Sequence, residues 1–174
     1  MLQVHGGSYL DEATGMRMSM LDADELTCVV PELTVTAGST TAGIQVTPLT
    51  AMAQAWAEHM TGGMTAANAM LANSHIGAAY VGPGADIVMM HPIDPTVAGS
   101  ANGASIEAKN YGMILAAMSQ SAHDLGMTTS SSALVTALCT ATRRNPTART
   151  CGKFSSVIPP MANAGATIAA SPGA

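Results

Sequence analysis

The chain has 174 residues, six Lys and Arg against eleven Asp and Glu, and a formal net charge of −5. Charged residues make up 10%, well below the roughly 25% of an average soluble domain, and six basic residues are too few for a nucleic-acid footprint. No stretch supplies the roughly 20 apolar residues of a membrane span, and the low net charge argues against an intrinsically disordered chain, which leaves one lightly charged globular domain rich in Ala (32), Thr (19) and Met (14).

Residues 1–47 read as β. LQVH is a short apolar-polar run, and GGSYLDEATG is rich in turn formers. Met16, Met18 and Met20 then recur at period two, the spacing that puts side chains on one face of a strand. LTCVV is a further strand, stopped by Pro31, with Cys28 expected to be buried and inert. LTVTA and GIQVT follow as two more short strands across AGSTTAG, with Ile44 and Val46 on one face.

Helical signals begin at Thr47-Pro48. A threonine oxygen accepts an orphan backbone N–H at a helix start. Proline in the first turn has no N–H to lose and already holds a helical φ. Leu49, Met52, Ala53, Trp56 and Met60 recur at 3–4 spacing, so Trp56 reads as a core residue, and Gly62-Gly63 ends the helix. Thr65 caps a second helix over 66–81, with Ala67, Met70, Leu71, Ser74, Ala78 and Val81 as its expected seam. The GPG at 82–84 stops it, and GPGAD reads as a turn, since it follows a helix and has no Lys-Ser/Thr to make a phosphate loop. A proline-bearing loop, DIVMMHPIDPTVAGSANG, leads to a third helix over 104–125. Its stripe is Ile106, Met113, Ile114, Ala117, Met118 and Leu125, and its stop is Gly126. Serines 130–132 cap a fourth helix, ALVTALCTAT, with Leu134, Val135 and Leu138 inward. The tail is rich in Ala, Gly and Pro.

The expected fold class is therefore α+β: a short antiparallel β segment followed by about four Ala-rich helices in an irregular bundle. The expected divisions are 1–47 for the β segment, which reads as the possible end of a β-sandwich, 48–143 for the bundle and 144–174 for an irregular tail. Alanine stripes pack closely but bury little area each, so bulky anchors such as Trp56, Leu49 and Ile114 carry most of the burial.

Three residue sets carry candidate chemistry. Cys139 and Cys151 flank the turn-like ATRRNPTART. A disulfide there closes a loop of about a dozen residues, worth ~3 kcal/mol in the chain-entropy model, and fits an oxidising compartment. Arg143, Arg144 and Arg149 make a small basic spot inside that loop and read as solvating it. Met89, Met90 and His91 put thioether and imidazole side by side, the ligand types of a Cu(I) site, as His59-Met60 does on a smaller scale. Asp22, Asp24 and Glu25 offer oxygens to Ca²⁺, without EF-hand spacing. No cofactor is expected. For an enzyme the sequence supplies no constellation: His123-Asp124 has no nucleophile motif beside it, and Ser131 and Ser132 are explained as caps.

Taken together, GGSYLDEATG, VTPLTAMAQAWA, GGMTAANAMLANSHIGAAY, DIVMMHPIDP and NYGMILAAMSQSAHDLG resemble, in order, the C-terminal region of large secreted or lipid-anchored bacterial surface proteins. In those proteins Ig-like or carboxypeptidase-regulatory-like β-sandwiches precede an Ala-rich helical region. The resemblance covers residues 5–126, and VTPLT and YGMILAAMSQ are its most specific pieces. It implies an extracellular or cell-surface location and a modular, non-enzymatic structural or interaction role, as in a scaffold, adhesin part or filament subunit. It carries no catalytic residues over. The chain departs from the pattern in its many Met. It also begins near where the last strand of the sandwich would lie, and the first residues lack the basic and apolar regions of a signal peptide. The expected partner is therefore another protein or a second copy, joined through the N-terminal strand. The alternative is an extracellular ligand- or metal-binding module that uses the acidic or His/Met loops for Ca or Cu.

Overall fold

A computed structural model describes residues 1–20, 25–33 and 42–126. The fold is α+β, with four short strands followed by three helices among the described residues: β1 (Leu2–His5), β2 (Ser8–Leu10), β3 (Arg17–Ser19), β4 (Glu25–Cys28), α1 (Pro48–His59), α2 (Ala66–Tyr80) and α3 (Ile106–Asp124). The expected fourth helix, the Arg143/Arg144/Arg149 spot, the Cys139–Cys151 pair, the tail and most of LTVTA lie outside the described residues.

The strands form two antiparallel pairs, not one sheet. β1 pairs with β4, Leu2 opposite Cys28 and Val4 opposite Leu26, and β2 pairs with β3, Tyr9 opposite Met18. Gly6 and Gly7 make the break between β1 and β2, at φ +68 and +85, where a side chain would be strained. The GGSYLDEATG stretch thus divides: SYL is a strand, and only DEATG is the turn. Asp11 organises that turn, because its carboxylate accepts from the Thr14 N–H at 3.1 Å and the Thr14 hydroxyl at 2.7 Å. Ser119 of α3 donates to the same carboxylate, and the Ala13 N–H reaches the Ser119 oxygen at 3.4 Å. One buried carboxylate therefore folds the hairpin tip and fastens it to α3.

GIQVT forms no strand. A strand needs a ladder, and apart from the Thr47 carbonyl, which opens α1, the backbone bond this segment makes outside itself runs from the Gln45 N–H to the Val88 carbonyl at 2.7 Å. Ile44 and Val46 still pack, half-buried, against the core.

α1 starts as its sequence dictates. Thr47 and Thr50 form a reciprocal capping box, with Pro48 in the first turn. The helix is buried nearly all round: Leu49, Ala51, Met52, Ala53, Ala55 and Ala57 are core residues, the pattern of a central helix rather than a surface one. β4 covers one side of it. Thr27 donates to Gln54 at 3.1 Å, and the Thr50 hydroxyl donates to the Thr27 carbonyl at 2.9 Å. Trp56 is half-buried against the core and lies edge-on to His75 of α2, ring centres 4.2 Å apart.

α2 is capped by Thr65 as expected, but it buries nearly the opposite face from the expected seam. Ala69, Ala72, Asn73, Ile76 and Gly77 face inward. Of the expected seam only Val81 is buried, and Met70 and Leu71 stand 61% and 55% exposed. The reason is close packing. A Cβ on Gly77 would sit 2.4 Å from the Ala85 carbonyl oxygen, so the small residues, not the bulky ones, set which face comes in. In α3, Ile114 and Met118 are buried and Ala117 is half-buried, as the stripe predicts. Ile106, Met113 and Leu125 are exposed instead, and Tyr111, Gly112, Ser119 and Ala122 take the inner face. Gly126, at φ +68, ends this helix.

A tyrosine bonds these parts together. Tyr111 is fully buried; its hydroxyl donates to the Ile87 carbonyl at 2.9 Å and lies 2.7 Å from the Thr47 hydroxyl. It links α3, the cap of α1 and the 85–90 turn. The 91–95 loop is fixed in turn by the Ile93 N–H to the Ala108 carbonyl at 3.1 Å. Gly112 lets it approach, since a Cβ there would lie 2.3 Å from the Ile93 carbonyl oxygen.

Candidate functional site

Two surfaces stand out once the core is accounted for. The first is the outer edge of β1. Among the described strands β1 pairs with β4 alone, so its other edge presents backbone donors and acceptors. All four residues are exposed, Leu2 and Val4 among them, and Leu10 of β2 adds a further exposed apolar side chain. Behind this region, β1, β2 and the start of α1 enclose a hollow of about 300 Å³ that reaches Val4, Tyr9, Glu12 and Leu115.

The second is an apolar groove of about 490 Å³. One wall is the chain leaving β4, with Val30, Pro31 and Leu33, and Ile44 beside it. The other is the outward face of α2, with Met70 and Ser74, and its base is the 84–89 turn, with Val88 and Met89. Asp86 shapes that turn by accepting the Val88 and Met89 N–H groups at 3.0 and 3.1 Å. Asn73 also lines the groove. Its side chain is 8% exposed; its Nδ2 donates to the Val29 carbonyl at 3.0 Å, and its Oδ1 is buried without a hydrogen-bond partner. Glu32 and Asp86 bring the charge, and among the described lining residues none is cationic.

The titratable groups have opposed environments. Burial pushes the Asp11 carboxyl up, but hydrogen bonds from Ser119 and Thr14 outweigh it and hold it below the ordinary value of 3.8. Burial pushes the neighbouring Glu12 above its ordinary 4.5, and the charges of Asp11 and Asp94 add to this. Cys28 is fully buried, and desolvation raises its thiol above the ordinary 9.0, which keeps it a poor nucleophile.

Of the residues proposed from sequence, Met89, Met90 and His91 differ in exposure. Met89 and His91 are exposed, Met90 turns toward the core, and the His91 ring nitrogen Nδ1 lies 2.8 Å from the Pro92 carbonyl. Met89 instead lines the apolar groove. Glu25 is exposed and accepts from Gln3 at 3.0 Å, while Asp22, Asp24, Cys139 and Cys151 lie outside the described residues. Among the described residues no three His, Cys, Asp or Glu side chains gather in a metal-binding group. His123 and Asp124 are both exposed, 3.6 Å apart. No helix of the described residues is long and apolar enough to cross a membrane.

Sequence reasoning missed Asn73, Tyr111 and the groove. The recurrence Ala69, Ala72, Asn73, Ile76, Gly77 at 3–4 spacing was the available signal for the first. Tyr111, three residues before Ile114 and seven before Met118, was the signal for the second. The groove comes from four separate segments and leaves no local pattern. No family model matches the chain, and no curated protein or solved structure matches it either.

Proposed function

We propose that this chain is a secreted or cell-surface interaction module that joins to a second copy of itself by pairing along the open edge of β1. The observation that carries the reading is that edge: an exposed strand, hydrogen-bonded on one side among the described strands, with Leu2 and Val4 on its surface. An added strand gains main-chain hydrogen bonds along the edge and covers exposed apolar side chains. The low charge supports it too, since charged side chains on an edge are the usual guard against such pairing. The likeness of VTPLT and YGMILAAMSQ to bacterial surface proteins supports the location and the structural role, as an element of an extracellular assembly or filament.

The test is the native mass of the purified chain, measured by light scattering after size exclusion, beside a variant carrying Leu2→Lys and Val4→Lys. Both positions are exposed, so the charges leave the fold intact and repel a pairing strand. An assembly larger than the monomer that the double variant reduces to monomer supports the reading. A monomeric parent, or an assembly the variant leaves unchanged, overturns it.

A further inference from the structure

The loop that leads into α3 carries the only Asn-Gly step in the chain, Asn102-Gly103. We propose that it is a site of spontaneous covalent modification, at which Asn102 loses ammonia and becomes chiefly isoaspartate. In the first step the Gly103 backbone nitrogen, as it gives up its proton, attacks the side-chain carbonyl carbon of Asn102. The new C–N bond closes a five-membered succinimide, and the bond to Nδ2 breaks to release ammonia, which takes up the proton. Water then opens the ring. Attack at the main-chain carbonyl leaves isoaspartate, with the chain running through Cβ and Cγ; attack at the side-chain carbonyl leaves aspartate. Water enters and ammonia leaves, so neither an oxidant nor a cofactor is needed.

The surroundings of Asn102 differ from those of the other described asparagines. Glycine after it offers no Cβ to crowd the ring. Asn102 and Gly103 are both exposed, and among the described residues neither the Asn102 carboxamide nor the Gly103 N–H makes a hydrogen bond. The turn around them is closed by the Ala104 N–H to the Ala101 carbonyl at 3.3 Å, outside the roughly 2.7–3.2 Å of a good N–H···O bond, so twisting it to bring nitrogen to carbon costs little. Asn68, Asn73 and Asn110 lie within α2 or α3, where the next N–H is committed to the helix ladder. Their carboxamides are tied as well, to the Thr61 and Gly63 carbonyls, the Val29 carbonyl and the Val81 carbonyl respectively. The product adds one negative charge just ahead of Ser105, the N-cap of α3, at the helix end that favours anions, so the fold survives the change.

The test incubates the purified full chain at mildly alkaline pH and physiological temperature, beside a synthetic peptide of the sequence Gly99–Ser105. Peptide mapping by mass spectrometry reads the exchange of NH2 for OH at each asparagine. Carboxyl methylation by an isoaspartate-specific methyltransferase, mapped to the same peptides, reads the isomer. The expected result is loss of Asn102 on the timescale of the free peptide, faster as pH rises, with isoaspartate the larger product and Asn68, Asn73 and Asn110 intact. Asn102→Gln, a substitution at an exposed position that keeps the fold, should abolish the product in this loop, because glutamine would have to close a larger and slower ring. An Asn102 that persists after the peptide has reacted would show that the turn withholds the Gly103 nitrogen, and would overturn the proposal. So would equal loss of Asn68, Asn73 or Asn110, or methylation of this loop that survives in Asn102→Gln. The edge variant Leu2→Lys/Val4→Lys should react as the parent does, so this site and the proposed β1 pairing stand or fail separately.

Discussion

Removing one oxygen from the core should test how the helices are joined. Tyr111→Phe keeps the ring and its packing and deletes only the hydroxyl. That hydroxyl serves the Ile87 carbonyl at 2.9 Å and the Thr47 hydroxyl at 2.7 Å. Burial pushes the phenol far up from its ordinary value of 10.0, so it acts as a neutral donor throughout the working range. Without it the Ile87 carbonyl loses a donor in a fully buried setting. Thr47 retains the Thr50 N–H at 3.4 Å, a long bond and a weak substitute. An unsatisfied buried acceptor costs about 1–3 kcal/mol, so Tyr111→Phe should destabilise the protein by about 2 kcal/mol. For a domain of this size that lowers Tm by about 4–8 °C. Thr47→Val removes the partner oxygen and the helix cap together, and costs about 1–2 kcal/mol alone. The two changes should not add: a double-mutant cycle from urea unfolding should return a coupling of about 0.5 kcal/mol or more. A Tyr111→Phe variant within about 0.5 kcal/mol of the parent, or a pair that adds, would show that this bond does not join α1, α3 and the 85–90 turn.

Three further outcomes follow from the same structure. Gly112→Ala gains about 1 kcal/mol of helix propensity but drives a Cβ to 2.3 Å from the Ile93 carbonyl; overpacking of about 1–3 kcal/mol should win, and a raised Tm would refute the contact. Ile76→Ala should cost about 2–5 kcal/mol, while Leu71→Ala, on the exposed face, should stay within about 0.5 kcal/mol; the reverse order in thermal melts would restore the face expected from bulk. Asp11 is held below its ordinary 3.8 when folded, so its ionised form contributes stability that is complete above that value and is lost as pH falls through the lowered one. The stability gap between the parent and Asp11→Asn should accordingly close below about pH 3.8 in acid titrations followed by circular dichroism; Glu12, raised chiefly by burial, titrates in the opposite sense in both proteins and loses in the variant only the smaller contribution of the Asp11 charge. A gap that does not change with pH would remove the Asp11–Ser119–Thr14 arrangement.

What could be read from the sequence was local. Thr47-Pro48, Thr65 and Gly126 mark helix ends through hydrogen bonds and φ values within a few residues, and each stands where expected. What could not be read depended on distant chain segments. The inward face of α2 is chosen by how near Gly77 comes to Ala85, and bulk at Met70 and Leu71 pointed the other way. GIQVT has strand composition but no ladder partner among the described residues. Adjacency in Met89-Met90-His91 did not reveal that Met90 packs against the core while Met89 and His91 are exposed. Asn73 stands outside the seam expected for α2, and only the inward face set by Ala69, Ala72, Ile76 and Gly77 buries it.

The central claim is that the β1 edge is used by a second copy. Amide hydrogen exchange across β1 tests it most directly, because alternate residues of an antiparallel strand point their N–H groups to opposite sides. The amides of Leu2–His5 that face β4 should be protected at every protein concentration. Those that face outward should exchange freely in dilute solution and become protected as concentration rises, in step with the native mass. Outward amides that exchange at the free rate at all concentrations, even where the mass grows, would contradict pairing through this edge.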